Sequence, residues 1–278
     1  MKHIELMIKH SPLRRPRKMQ RYIYPRQYER QYESILKGPI KTLQVTVAQS
    51  LFPRLPELAR QNEKHRADAW HDDLEQIMAQ LGIQWGRTFT KEELKQLALM
   101  TGRTLSFWNK QQLGKTISKA LDLPTYFSDE GLSAVLDSWA YENARLITDA
   151  GETMLSQIEG IVSRGIQSGT LWEDIQAEIV GTGIEPGRFG TAESRAAFIA
   201  RDQIGKLNSD LSELRQTNLG ISEYIWRTAM DEHVRPEHAA REGETFSWDD
   251  PPEGGHPGED YGCRCYPEPK LPSDDADE

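Results

Sequence analysis

Only two cysteines occur in the 278 residues, Cys263 and Cys265, and a single residue separates them. A disulfide framework is therefore excluded, because residues two apart rarely bring their sulfurs together without strain, and the usage fits a reducing cytoplasm. There is no apolar run near the ~18 residues that a membrane span needs, and no apolar N-terminal core of the signal-peptide kind. A mean hydropathy of −0.67 and 28% charged residues lead to the expectation of a soluble chain. Catalytic signatures are also scarce. No nucleophile has an adjacent base at readable spacing. Gly181, Gly183 and Gly187 follow no strand, so they form a turn rather than a dinucleotide fingerprint, and Gly114-Lys115-Thr116 lacks the upstream glycine of a P-loop. The run Trp139 to Arg145 reads as an amphipathic helix rather than a cofactor box.

Charge is present but unevenly placed. The net charge is −9, yet residues 1–30 hold nine basic side chains against Glu5 and Glu29, and residues 230–278 hold fifteen acidic against four basic. Opposed ends of this kind suit different partners. Arg14, Arg15, Arg17, Lys18 and Arg21, interleaved with Tyr22, Tyr24, Tyr28 and Tyr32, have the chemistry to contact phosphates and stack on bases. The same stretch equally suits an acidic protein surface or a solvated arm. The tail Asp274-Asp275-Ala276-Asp277-Glu278 is expected to be disordered.

Helical periodicity dominates the rest. Pro12, Pro16, Pro25, Pro39, Pro53 and Pro56 argue against long helices in the first fifty-odd residues, which are expected to form an extended arm with a strand or short helix at Leu43–Val47. Leu58, Trp70, Leu74, Ile77, Met78 and Leu81 make a helical stripe closed by Gly82. Thr90 with Glu93 is a capping box for a helix reaching about Lys110, weakened at Gly102. Ser128 caps another, separated by Gly151 from a helix over residues 152–166. Thr170 opens a short helix that ends at Gly181, and Thr191–Leu219 is expected to be the longest, with Arg201-Asp202-Gln203 as an internal polar cluster. The fold class is mainly α, helical hairpins with a small C-terminal α+β appendage and an extended N-terminal arm. The expected divisions are a basic arm over 1–56, a helical region over 57–127, a helical part of a second domain over 128–220, a compact segment over 221–268 and an acidic tail over 269–278.

That compact segment is the densest in unusual residues. Tyr224 and Trp226 alternate with Ile221, Ile225 and Arg227, a strand pattern ended by Met230. Pro236 suits the first turn of a short helix, which Gly243 stops, and residues 244–248 read as a second strand before a Gly/Pro-rich loop. His238, His256, Cys263 and Cys265 carry the ligand types of a tetrahedral structural zinc, with His233 as a spare. The single-residue spacing of the cysteines departs from common zinc motifs, so ordinary reduced thiols and hydrogen-bonded histidines stand as the other account.

Read in order, Trp226-Arg227-Thr228-Ala229, Asp231-Glu232, Val234-Arg235-Pro236, His238, Gly243, Phe246, Gly255-His256-Pro257-Gly258 and Cys263-Arg264-Cys265 resemble the C-terminal signature of the phage Mu F-like minor head proteins, also called phage head morphogenesis proteins. Phe198–Asn208 and Arg215-Gln216 with Leu219-Gly220-Ile221 resemble the helix before it, so the resemblance covers roughly residues 130 to 268. His233 stands where many members carry arginine. The resemblance implies a minor capsid protein of a tailed bacteriophage, binding rather than turning over. Its implied partners are the portal and other head or scaffold proteins, with DNA during packaging, and no membrane. It implies a place in the virion, at the capsid interior or portal vertex, after assembly in the host cytoplasm. The rival reading is a metal-dependent nuclease built on Asp231, His233, His238 and His256. Against it, the strand-helix order differs from that of ββα-metal nucleases, and a metal held by both cysteines would be closed and structural.

Overall fold

A computed structural model describes residues 3–19, 21, 23–63, 67–181, 187–231 and 234–272. Among them are helices α1 (His3–His10), α2 (Arg26–Ser50), α3 (Leu55–Glu63), α4 (Ala67–Thr88), α5 (Lys91–Leu121), α6 (Leu132–Gln167), α7 (Trp172–Val180), α8 (Gly187–Leu219) and α9 (Pro236–Ala240). Strands β1 (Glu223–Arg227), β2 (Thr245–Ser247) and β3 (Tyr266–Pro269) form one antiparallel sheet in the order β2-β1-β3. The chain is mainly α with a small C-terminal α+β part, as its periodicity indicates. Glu232, His233, residues 182–186 of the expected turn and the expected acidic tail 274–278 lie outside the described residues.

The chain divides into two compact units, each assembled from separated segments. The first comprises Met1–Tyr32, Ala98–Ala140 and Ala200–Glu278, the second Glu33–Leu97 and Tyr141–Ile199. In the second, α4 buries Trp70, Leu74, Met78, Leu81 and Trp85 along one face. Trp85 lies against Gly151 of α6, where an added Cβ would come within 2.3 Å of its ring. In the first, Ile4, Leu113, Ile117, Leu121, Leu219, Ile221 and Leu271 make a core cluster that draws on both ends of the chain.

Several boundaries differ from the sequence expectation. The first fifty residues are not an extended arm, since α1 and α2 occupy much of them, and among the described residues 11–19, 21 and 23–25 lack regular structure. Pro39 sits inside α2. Its lost hydrogen bond is outweighed by the burial of Tyr32, Leu36, Ile40, Leu43 and Val47 at intervals of three and four. Pro53 and Pro56 fall in first helical turns, where no N–H is needed. Gly82 does not end α4, because Trp85 extends the buried stripe one turn further. α5 runs through Gly102 to Leu121, and Gly102 is small because Leu136 and Trp139 press on it. Gly151 is internal to α6 for the same reason, which makes α6, at 36 residues, longer than α8 at 33. The capping box at the start of α5 is formed as read. Glu93 N–H donates to Thr90 Oγ1 at 3.3 Å, and Thr90 N–H donates back to Glu93 Oε2 at 3.0 Å.

Candidate functional site

β1 organises the site because it is the central strand of three. Its alternation puts Tyr224 and Trp226 on the buried face and leaves Glu223, Ile225 and Arg227 half-buried. Ile225 pairs Thr245 of β2 and Glu268 of β3, so the strand that sequence reading missed, β3, completes the sheet. It escaped notice because Tyr266-Pro267-Glu268-Pro269 has two prolines, which only an edge strand tolerates. Gly243 takes φ +87°, and its N–H donates to the Trp226 carbonyl at 2.9 Å, closing the turn after α9.

On the buried face, Tyr224, Trp226, Trp248, Cys263 and Cys265 pack together with Phe246 at the margin. His238 reaches them from α9, Pro236 having started that helix. The His238 ring meets Trp226 edge-on, with centroids 5.3 Å apart. Its Nδ1 lies 3.4 Å from Cys263 Sγ and 3.6 Å from Cys265 Sγ, and all three side chains are buried. The opposite nitrogen, Nε2, faces Asp260 Oδ2 at 3.6 Å. Hydrogen bonding from the Cys265 thiol, then from His238, brings the Cys263 thiol down to about 5, while Cys263 and burial push Cys265 up.

His256 does not join this cluster. Its Nδ1 shares a 2.9 Å hydrogen bond with the Tyr224 hydroxyl, and its ring lies against Trp248 at 5.0 Å. Glu259 accepts the His256 N–H, which holds the turn through Pro257 and Gly258. Three of the four expected ligands therefore come together.

The charged signature residues are internal ties. Arg227 donates from Nε and Nη2 to Glu268 at 3.1 and 2.9 Å and from Nη1 to Glu242 at 3.3 Å. The Thr228 N–H and hydroxyl both donate to Glu242 Oε2, at 2.6 and 2.8 Å. Arg264 makes a two-pronged contact with Glu29, its Nε donating at 3.0 Å, and lies 3.5 Å from Asp231, which Arg26 also meets. Arg235 pairs Asp260 at 3.0 Å and donates to the Tyr261 carbonyl at 2.7 Å. Of the basic N-terminal residues, Arg21 donates to Tyr266 and Glu242, at 3.1 and 2.6 Å, and remains exposed. Arg14, Arg15, Arg17 and Lys18 are exposed. Glu29, Glu242 and Asp260 went unnoticed in the sequence, because a lone carboxylate carries no local sign of a distant partner.

α8 braces the module from beneath. Asp202 Oδ1 accepts the Gly262 N–H at 2.9 Å, so the Arg201-Asp202-Gln203 cluster does pin the cysteine loop. Gln216 accepts from the Trp248 indole at 3.2 Å and donates to the Pro267 carbonyl at 3.1 Å. Gly205 and Gly258 let the helix and loop backbones touch. Further along α8, buried Arg215 donates to Ser106 at 2.7 Å and to Asn109, and burial lowers its guanidinium to about 10.

The arrangement defines a helical protein carrying a compact, internally ion-paired C-terminal module with a buried His/Cys/Cys cluster. Residues 156–267 match the sequence profile of the family described as Phage Mu protein F like protein. Over 153 residues the chain is 34% identical to a protein of Haemophilus influenzae Rd described only as uncharacterised, an alignment covering 54% of this chain and 33% of the relative. The chain thus spans about a third of that relative's length. No solved structure matches it. Among the described residues no helix is long and apolar enough to cross a membrane.

Proposed function

We propose that the chain is a minor head protein of a tailed bacteriophage, acting in procapsid assembly and DNA packaging by binding the portal or the head interior. The observation that carries this reading is the Mu F-like match over residues 156–267. Its signature charges Arg227 and Arg264 pair within the fold, with Glu268 and Glu29, which supports a binding part. Exposed Arg14, Arg15, Arg17 and Lys18 supply a cationic face for an acidic partner surface or for packaged DNA.

Deleting the N-terminal segment would not isolate that face, because Ile4, Tyr24, Glu29 and Tyr32 are buried. The test is co-purification of the full chain with the portal protein of its phage, beside a variant carrying Arg14→Glu, Arg17→Glu and Lys18→Glu, with the complex sized. Stable association, weakened at least tenfold in the variant, is the expected result. A full-length chain that ignores the portal overturns the reading, and one that ignores it yet nicks DNA with a divalent metal and stops with EDTA puts the nuclease in its place.

A further inference from the structure

We infer that His238, Cys263 and Cys265 form a three-residue binding site for one zinc ion, with Asp260 orienting the histidine and water completing the tetrahedron. With zinc–sulfur and zinc–nitrogen bonds of about 2.3 and 2.05 Å at the tetrahedral angle, a sulfur and a nitrogen ligand stand about 3.5–3.6 Å apart. The two sulfur–nitrogen edges here are 3.4 and 3.6 Å. One Nδ1 faces both sulfurs at once, which suits a shared ion better than hydrogen bonding, since a neutral imidazole nitrogen has one N–H to give.

The surroundings match the outer layer of a thiolate site. Asp260 faces the free nitrogen of His238 at 3.6 Å, the place where ligating histidines meet a carboxylate. The Cys265 N–H points at Cys263 Sγ from 3.4 Å. The Trp226 indole N–H is buried without an oxygen or nitrogen acceptor, beside the Cys265 sulfur. A cavity of about 10 Å³ opens against the cluster between Val234, Arg235 and Gly262, room for one small guest. Two thiolates, one neutral imidazole and Zn²⁺ sum to zero charge, which a buried pocket tolerates far better than bare thiolates.

The ion would tie α9 to the turn leading into β3, joining residues 25 and 27 apart in sequence. A sheet with strands of five, three and four residues gains from such a staple. This inference does not depend on the head-protein reading.

The test is metal analysis of full-length protein supplied with zinc and passed through a desalting column. One zinc per chain is expected, falling at least tenfold in His238→Gln, Cys263→Ser and Cys265→Ser and unchanged in His256→Phe. Should the ligand variants fail to fold, cobalt loading of the wild type decides. Sulfur-to-cobalt charge transfer with tetrahedral ligand-field bands supports the site. Folded wild-type protein without zinc, whose two thiols react with a disulfide reagent equally fast with and without EDTA, overturns it. So does a Cys263–Cys265 disulfide by mass, and loss of zinc in His256→Phe would restore a four-residue set in place of this one.

Discussion

Replacing Gly205 with alanine should destabilise the protein, although the same exchange at an open helical position should strengthen it. Gly205 lies within α8, where alanine is intrinsically favoured over glycine by about 1 kcal/mol. An alanine Cβ there would stand 2.5 Å from the Cys263 carbonyl oxygen, closer than real Cβ contacts come, and 3.7 Å from that of Gly258. The nearest obstacle is backbone, so relief requires the cysteine loop to retreat by about 0.5 Å from the helix. Overpacking of this kind costs about 1–3 kcal/mol. Set against the propensity gain, the net is a loss of up to about 2 kcal/mol, or a fall in Tm of up to about 8 °C for a chain of this size. Gly82, inside α4 with nothing within 4 Å of an added Cβ, is the control. Gly82→Ala should raise Tm by about 2–4 °C. Scanning calorimetry on both variants reads the two signs directly. A Gly205→Ala protein as stable as Gly82→Ala would refute the close approach of helix and loop.

Two other outcomes follow from the charged ties. Arg264→Gln leaves the Glu29 carboxylate, only 8% exposed, without its main cation. Breaking a buried pair costs about 3–5 kcal/mol, and residual exposure reduces that here to about 2–3 kcal/mol. The Glu29→Gln, Arg264→Gln double variant should recover at least about 1 kcal/mol in urea unfolding, whereas additive losses would show the pair uncoupled. Burial alone would raise Glu242, but the Thr228 N–H and hydroxyl, with Arg21 and Arg227, hold it below the usual carboxylate range. A depressed carboxylate contributes stability above its unfolded value of about 4.3 and loses it as the pH falls through the lower folded value. The urea midpoint of wild type should therefore exceed that of Glu242→Gln at neutral pH, and the gap should narrow as the pH falls below the unfolded value. Parallel curves across that range would contradict the assignment.

Much of the fold was legible in the chain because its signals are local. The capping box of Thr90 and Glu93 involves neighbours three apart, and the alternation around Tyr224 and Trp226 shows itself within five residues. The glycines misled. Gly82 and Gly151 look like helix ends and Gly102 like a weak point within one, yet Gly102 and Gly151 are small to admit Leu136, Trp139 and Trp85, whose approach no local pattern announces. Pro39 misled in the same way, since the penalty of one proline is local and the burial that outweighs it is not.

The residue types of the site were set by the sequence itself: His238 on a proline-started helix, Cys263 and Cys265 one apart, and Arg201-Asp202-Gln203 as an internal brace. Only the tertiary structure decided which of them meet. It brings His238 to both sulfurs, turns His256 aside to Tyr224, and moves Arg21 from a free cationic stretch into an ion pair with Glu242. The reason is physical. Helix and strand patterns arise from contacts within a few residues, whereas ligand sets and ion pairs join groups tens or hundreds of residues apart, and those separations close only when the core packs.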